Sequence, residues 1–294
     1  MSARIRAVFE DAGVRGWLHA VALDAPEATV DVDADTVVPM ASVYKVPLLA
    51  GFCRLVDLGE VDPRRQLTLD PSTRTAGPTG VSILADPVTM SLRDLAVSMI
   101  TVSDNASADA LLDVVGLQRL AELLESFGLK RTWVRRGTAG NLRDLQSRTG
   151  ADDPDAALAV LADNDQTDPV GVYEAANASA SSPRDLTTLL RRLWTGELLS
   201  EQQTAFVRAT MHRQLFMHRL ASGFPHDGVR VAGKTGTFGA LRHEVGVVTL
   251  PGGAAFAIAV FTLAARGDFR QPRVDAAIGE AARVAVDLLR QTIA

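Results

Sequence analysis

The chain has 294 residues, 47% apolar and 22% charged, with a formal net charge of −5. That balance suits a soluble globular protein of one large or two medium domains, and the negative charge argues against nucleic acid or an anionic membrane as the main partner. Apolar runs such as 254–265 (AAFAIAVFTLAA) are shorter than the ~18–20 residues of a membrane span.

The opening MSARIRAVFEDAG places Ile5, Val8, Phe9 and Ala12 at helical spacing. It lacks the uninterrupted apolar core of a secretory signal, so the chain as written is expected in the cytoplasm, and outside it only if a leader was removed. Residues 16–24 and 28–33 read as two strands of a hairpin or meander. A helix is expected from about Ser42 to Leu58. The lone cysteine, Cys53, lies within it as a buried packing residue and excludes an intrachain disulfide.

Residues 59–90, rich in Pro, Gly and Thr, read as ordered loop with a turn at 77–80. Helices follow at 91–100, opened by a Ser-x-x-Asp capping box, then at 105–115 and at 117–127, stopped by Gly128. The polar stretch 131–182 holds one clear helical piece, 153–163. Residues 181–196 form a well-marked helix, with Ser182 as cap, Pro183 in the first turn and Gly196 past the end. Another helix starts at Ser200, where Gln203 completes a capping box. Strand patterns occupy 229–233, 241–250 and 254–263, and a long helix spans 272–292. Both ends thus supply strands and flanking helices, while the middle supplies helices. This predicts an α+β fold: a sheet domain from 1–40 and 197–294, a mainly helical domain from 41–196, and a site at their interface.

Near the C-terminus, GVRVAGKT (228–235) satisfies the phosphate-binding pattern G-x-x-x-x-G-K-[ST]. Such a loop must lead into a helix whose N-terminus faces the phosphates. Here Val-Arg-Val-Ala should be extended, and the sequence after Lys234 alternates as a strand does. The nucleotide reading therefore lacks its helix. A shorter pattern in the same stretch has companions. Ser42-Val-Tyr-Lys45 is S-x-x-K at a helix start, Ser103-Asp104-Asn105 is S-D-N between two helices, and Lys234-Thr235-Gly236 is K-T-G.

The cations sharpen this. The chain holds three lysines (45, 130 and 234) against 27 arginines, and two of the three fall in these motifs. Arginine is effectively never deprotonated, whereas a desolvated lysine beside another cation can lose its proton. Lys45, three residues after Ser42 on one helical face, can reach its hydroxyl and, when neutral, act as base for a serine nucleophile. Taken alone, Ser42 would read as a helix cap.

In order and context, these three motifs resemble those of class A β-lactamases and penicillin-binding proteins, over the chain from about residue 16 onward. The resemblance implies an antiparallel five-stranded sheet flanked by helices and an acyl-Ser42 intermediate. It implies that Ser103 bridges Lys45 and Lys234 and passes a proton to the leaving group, while Asp104 braces the loop. Asn105 would hold the substrate's amide side chain, and Lys234 and Thr235 its carboxylate. Gly236 would let the strand lie close to the substrate. The backbone N–H groups of Ser42 and Thr237 would form the oxyanion hole. Arg242 on the next strand is a candidate second contact to the carboxylate, or else a solvated strand residue.

The chain departs from the family at the deacylating Glu-x-x-x-Asn. Its nearest equivalent is YEAAN (173–177), where Glu174 and Asn177 stand three apart rather than four. Glu174 is a candidate deacylating base or an exposed loop carboxylate. The implied substrate is a small carboxylate-bearing molecule, β-lactams included, and the protein is expected to be a monomer with no nucleic-acid, membrane, cofactor or metal partner. The histidines at 19, 212, 218, 226 and 243 are scattered, and no Cys/His cluster suggests zinc. Alternatives are a D-amino-acid peptidase, esterase or acyl transferase with slow deacylation, and a ligand-binding homologue without turnover.

Overall fold

The computed structural model describes residues 2–162 and 171–293. Helix α1 (Ser2–Asp11) precedes a pair of antiparallel strands, β1 (Val14–Ala22) and β2 (Thr29–Val32). The short β3 (Val38–Pro39) leads into a 3₁₀ turn, Ala41–Tyr44, and then α2 (Lys45–Asp57). Pro47 is accommodated in the first turn of α2, where a missing N–H costs nothing. The expected helix start at Ser42 is therefore a 3₁₀ turn. With three residues per turn, it stacks residues i and i+3, here Ser42 and Lys45.

The stretch 59–90 holds strands β4 (Gln66–Leu69) and β5 (Val88–Ser91), which pair antiparallel rather than forming loop throughout. Each is four residues long and mostly solvent-facing, so neither carries a buried alternation to read. Helices α3 (Leu92–Thr101), α4 (Asn105–Val115) and α5 (Leu117–Ser126) follow as expected, with Ser91 capping Asp94 N at 3.1 Å. Within 131–182, α6 (Thr138–Thr149) joins α7 (Pro154–Ala162). Helix α6 buries only Leu145, so it offers no apolar stripe in sequence. Asp163, the expected last residue of the next helix, lies outside the described residues.

After the 3₁₀ turn Ala175–Asn177, β6 (Ala180–Ser181) pairs with β3. Helix α8 (Pro183–Trp194) has the expected Ser182 cap, and α9 (Glu201–His212) the Ser200 cap. A 3₁₀ turn, Leu220–Gly223, precedes the strands β7 (Arg230–Phe238), β8 (Leu241–Thr249) and β9 (Ala255–Ala264), and α10 (Pro272–Ile293) closes the fold.

Four long strands and the short β2 form one antiparallel sheet in the order β2-β1-β9-β8-β7. Central β9 is buried on both faces, and its alternation sorts two cores. Phe256, Ile258 and Val260 pack with α1 and α10, while Ala257, Ala259 and Phe261 join the core shared with the inner helices. Helix α8 lies on that inner face, its Leu186, Leu189, Leu190 and Leu193 in the same core as α2 and α3. Strand β7 is the outer edge of the sheet, beside the 3₁₀ turn that carries Ser42.

Candidate active site

Four segments distant in sequence meet at the edge of β7. The Ser42 turn is held from two sides: Met40 N donates to Ser179 O at 2.8 Å, and His243 Nε2 on β8 lies 2.9 Å from Pro39 O. His243 Nδ1 lies 2.7 Å from Arg242 O and 3.1 Å from Thr262 N, so both ring nitrogens are engaged by backbone. Burial keeps this imidazole uncharged by lowering its pKa to about 3. Ala41 and Ser103 adopt φ of +46° and +60°, a region that costs a non-glycine residue on the order of 1 kcal/mol or more and persists where surroundings enforce it.

The carboxylate of Asp104 enforces it at Ser103. Fully buried, it accepts from Val81 N (2.9 Å), Ser98 Oγ (2.8 Å), Ser107 Oγ (2.5 Å), Ala106 N (3.1 Å) and Ser82 Oγ (2.8 Å). Burial alone would raise its pKa, but these bonds outweigh it and hold the pKa below the usual value. Asp104 thus caps α4 and fastens the 80–83 turn to the same point.

Against this frame stand the two motif lysines, both fully buried. Lys45 Nζ donates to Ser103 O (2.6 Å), Asn105 Oδ1 (2.9 Å) and Ser103 Oγ (3.3 Å). Lys234 Nζ donates to Ser103 Oγ (3.0 Å) and Thr235 O (2.7 Å). Among the described residues neither lysine has an ion-pair partner. Burial lowers the pKa of Lys45 to about 7, against the opposing pull of Asp104 and Asp109. Burial, with Lys45 as a second cation, takes Lys234 well below its ordinary value as well. One hydroxyl therefore links two amines that shed protons easily, an arrangement able to accept a proton from a serine and return one to a leaving group.

Gly236 fits this packing for a steric reason. A Cβ there would stand 2.8 Å from Met40 O and 3.2 Å from Val43 N, so only glycine lets β7 lie flat against the Ser42 turn. Thr235 is buried, whereas Thr237 on the same strand is exposed.

Several residues that the motifs do not include complete the site. Arg219, 3% exposed, donates to Gly236 O and His243 O (both 2.8 Å) and to Thr237 Oγ1 (2.8 Å), and pairs with Asp275 on α10 at 2.7 Å. It places a buried cation beside Thr237. Arg242 is 2% exposed, its guanidinium bonded to the carbonyls of Gly239, Leu241, Asp268 and Phe269. It is neither a solvated strand residue nor free to turn toward a ligand. Gln214 accepts from Thr235 N (2.6 Å) and donates to buried Glu244 (2.7 Å). On the far side, Thr138 at the start of α6 bonds Asn105 Oδ1 (3.4 Å) and Tyr44 Oη (3.2 Å), while Thr138 N and Ala139 N both donate to Asp109 (2.7 Å). Only Glu244 left a trace in sequence, as a charge inside an apolar strand.

Glu174 and Asn177 lie in the 171–177 loop, which Tyr173 ties to the β7–β8 turn through Ala240 N (2.9 Å). Asn177 Nδ2 donates to Gly171 O (3.0 Å) and to Glu174 Oε2 (3.3 Å), and Glu174 is exposed. Among the described residues no hydrogen bond joins either to Ser42, Lys45 or Ser103. Also among the described residues, no His/Cys/Asp/Glu group is arranged to hold a metal ion, and no helix is long and apolar enough to cross a membrane.

A model of the β-lactamase enzyme family matches residues 1–289. The chain belongs to this family. It is 32% identical over 280 residues to the β-lactamase regulatory protein BlaB of Streptomyces cacaoi, with 88% of each chain covered. Among solved structures it is similar to a β-lactamase from Sphaerobacter thermophilus (TM-score 0.78, 23% identity, 99% of this chain and 98% of that one). It is also similar to a mutant of PBP-A in an acyl-enzyme complex with penicillin G (TM-score 0.77, 23% identity, 97% and 96% covered). These likenesses establish the β-lactamase/transpeptidase-like fold, with its helices and five-stranded antiparallel sheet. As a family member, the chain has the fold of a serine hydrolase.

Proposed function

We propose that the protein is a serine hydrolase of the class A β-lactamase type, acylated on Ser42 by a β-lactam or a related amide or ester that bears a carboxylate. The observation that carries this reading is Ser103 Oγ, within 3.0 Å of Lys234 Nζ and 3.3 Å of Lys45 Nζ, with both lysines buried. Neutral Lys45 takes the proton of the Ser42 hydroxyl as Oγ attacks the carbonyl carbon and the C=O electron pair moves onto oxygen. Backbone N–H groups of Ser42 and Thr237 would receive that oxyanion; a donor of this kind is worth roughly 3 kcal/mol in other hydrolases. As the intermediate collapses, the leaving nitrogen or oxygen takes a proton from Ser103, which is restored from a lysine. Water then cleaves the acyl-Ser42 ester. Lys234, Thr235, Thr237 and Arg219 would take the substrate carboxylate, and Asn105 its amide side chain.

Glu174 and Asn177 are bonded to each other rather than to the lysine–serine group, which favours slow deacylation, with Lys45 left to serve as base. A second reading follows from the same feature and from the regulatory protein at 32% identity: a receptor that is acylated or occupied, and signals rather than turns over. Intact-mass measurement after mixing with penicillin, with Ser42→Ala as control, separates these. Turnover supports a β-lactamase. A lasting adduct on Ser42 supports slow deacylation, whether in a peptidase, an acyl transferase or a receptor. Absence of adduct and turnover across several β-lactams sinks the β-lactam reading.

A further inference from the structure

The segment between α9 and the 3₁₀ turn Leu220–Gly223 runs along the free edge of β7, and its ends are tied to one carboxylate. Glu244 Oε1 accepts from Gln214 Nε2 at 2.7 Å, and Glu244 Oε2 from Leu220 N at 2.7 Å. Gly233 on β7 makes room for this clasp, since a Cβ there would stand 2.4 Å from Glu244 Oε1. Both ends also touch the active-site strand: Gln214 through Thr235 N and Arg219 through Thr237 Oγ1. A further bond, Leu215 N to Thr101 O at 3.0 Å, fixes the segment two residues ahead of Ser103.

Glu244 is buried and spends both of its oxygens on holding this short loop, while Arg219 at the loop's end bonds Gly236 O, His243 O, Thr237 Oγ1 and Asp275. The loop displays two apolar side chains beside the exposed His218. Leu215 and Met217 are 69% and 57% exposed, and half-buried Phe216 stands edge-on to His218 at 6.2 Å. Neighbouring exposed apolar side chains mark a ligand or partner contact, and the segment that carries these is bonded to Thr235 and Thr237 on one side and to Thr101, two residues before Ser103, on the other.

We infer that Leu215, Phe216 and Met217 form a specificity shelf for the leaving-group side of the substrate, which carries a bulky apolar substituent next to its carboxylate. The inference rests on the acyl-transfer reading of Ser42, Ser103 and Lys234, because that reading sets which side leaves. A flexible loop would lose entropy on meeting such a substituent; this one is already fixed, so the burial gain is kept.

The test uses Ser42→Ala protein, so that binding is read without chemistry, and two benzoylglycyl esters, of D-lactate and D-3-phenyllactate. They share the carboxylate and differ by a methyl against a benzyl group on the leaving side. Calorimetric titration should show the phenyllactyl ester binding at least tenfold more tightly. Adding Leu215→Ser and Met217→Ser should bring the affinity ratio close to one, whereas adding Leu215→Met and Met217→Leu should keep it. Equal affinities, no measurable binding of the phenyllactyl ester, or a ratio undiminished in the serine variant overturns the proposal. The acyl-transfer reading fails separately, if wild-type protein forms no adduct with penicillin and cleaves neither ester.

Discussion

Lys234 Nζ donates to Ser103 Oγ at 3.0 Å across 131 positions of sequence. The contact joins the edge strand of the sheet to the turn between α3 and α4, and Lys45 reaches the same hydroxyl from α2. Two buried amines on one hydroxyl are poorly placed to be charged together, and that competition underlies the chemistry proposed here.

Lys45→Arg is expected to abolish acylation while keeping the charge. A guanidinium does not give up its proton near neutrality, and a base contributes on the order of 10²–10⁴-fold. Stopped-flow measurement of penicillin acylation should fall by at least 100-fold. A rate within tenfold of wild type would remove Lys45 as the base.

Acylation should rise with pH through a midpoint near 7. The neutral amine is the reactive form, and burial sets the Lys45 pKa at about 7. A rate profile recorded from pH 5 to 9 checks this. An acylation rate that is flat, or that falls across pH 7, contradicts it.

Glu174→Gln should leave the lifetime of the Ser42 adduct within twofold. The exposed Glu174 carboxylate accepts from Asn177 and bonds no group of the lysine–serine cluster. Loss of adduct decay on this substitution would instead make Glu174 the deacylating base.

Gly236→Ala should destabilise the protein and slow acylation together. Its Cβ would press on Met40 O and Val43 N, both backbone atoms that cannot rotate away. Overpacking of this kind costs about 1–3 kcal/mol, which denaturant unfolding measures. Unchanged stability would mean that the Ser42 turn is free to move.

Glu244→Gln tests the charge held under the 215–219 loop. Burial raises the Glu244 pKa to about 7, despite the bond from Leu220 N. A carboxyl whose folded pKa exceeds its unfolded value near 4.5 stabilises most fully below the latter. That contribution is lost as pH rises through about 7. Thermal melting should therefore show the variant gaining on wild type from pH 5 to 8. A constant difference across that range refutes the shift.

Much of this protein is legible before any coordinates. The grouping of Lys45, Ser103 and Lys234 is legible because two of the chain's three lysines stand in motifs, and because each motif sits beside a helix start or strand that local patterning reveals. The helices α3, α8 and α9 are equally legible, since their caps at Ser91, Ser182 and Ser200 are local bonds. Strands β4 and β5 and helix α6 are not, because short or weakly buried elements leave no periodic trace.

Only the tertiary structure separates the two arginines near β7. Arg219 and Arg242 are the same residue type near the same strand, yet four carbonyls occupy Arg242, while Arg219 reaches Thr237. It likewise decides that Glu174 faces Asn177 and that one glutamate clasps the apolar loop. Patterning encodes what a residue does within its own helix or strand; burial and bonding partners come from chain segments far away, and those set pKa, orientation and reach.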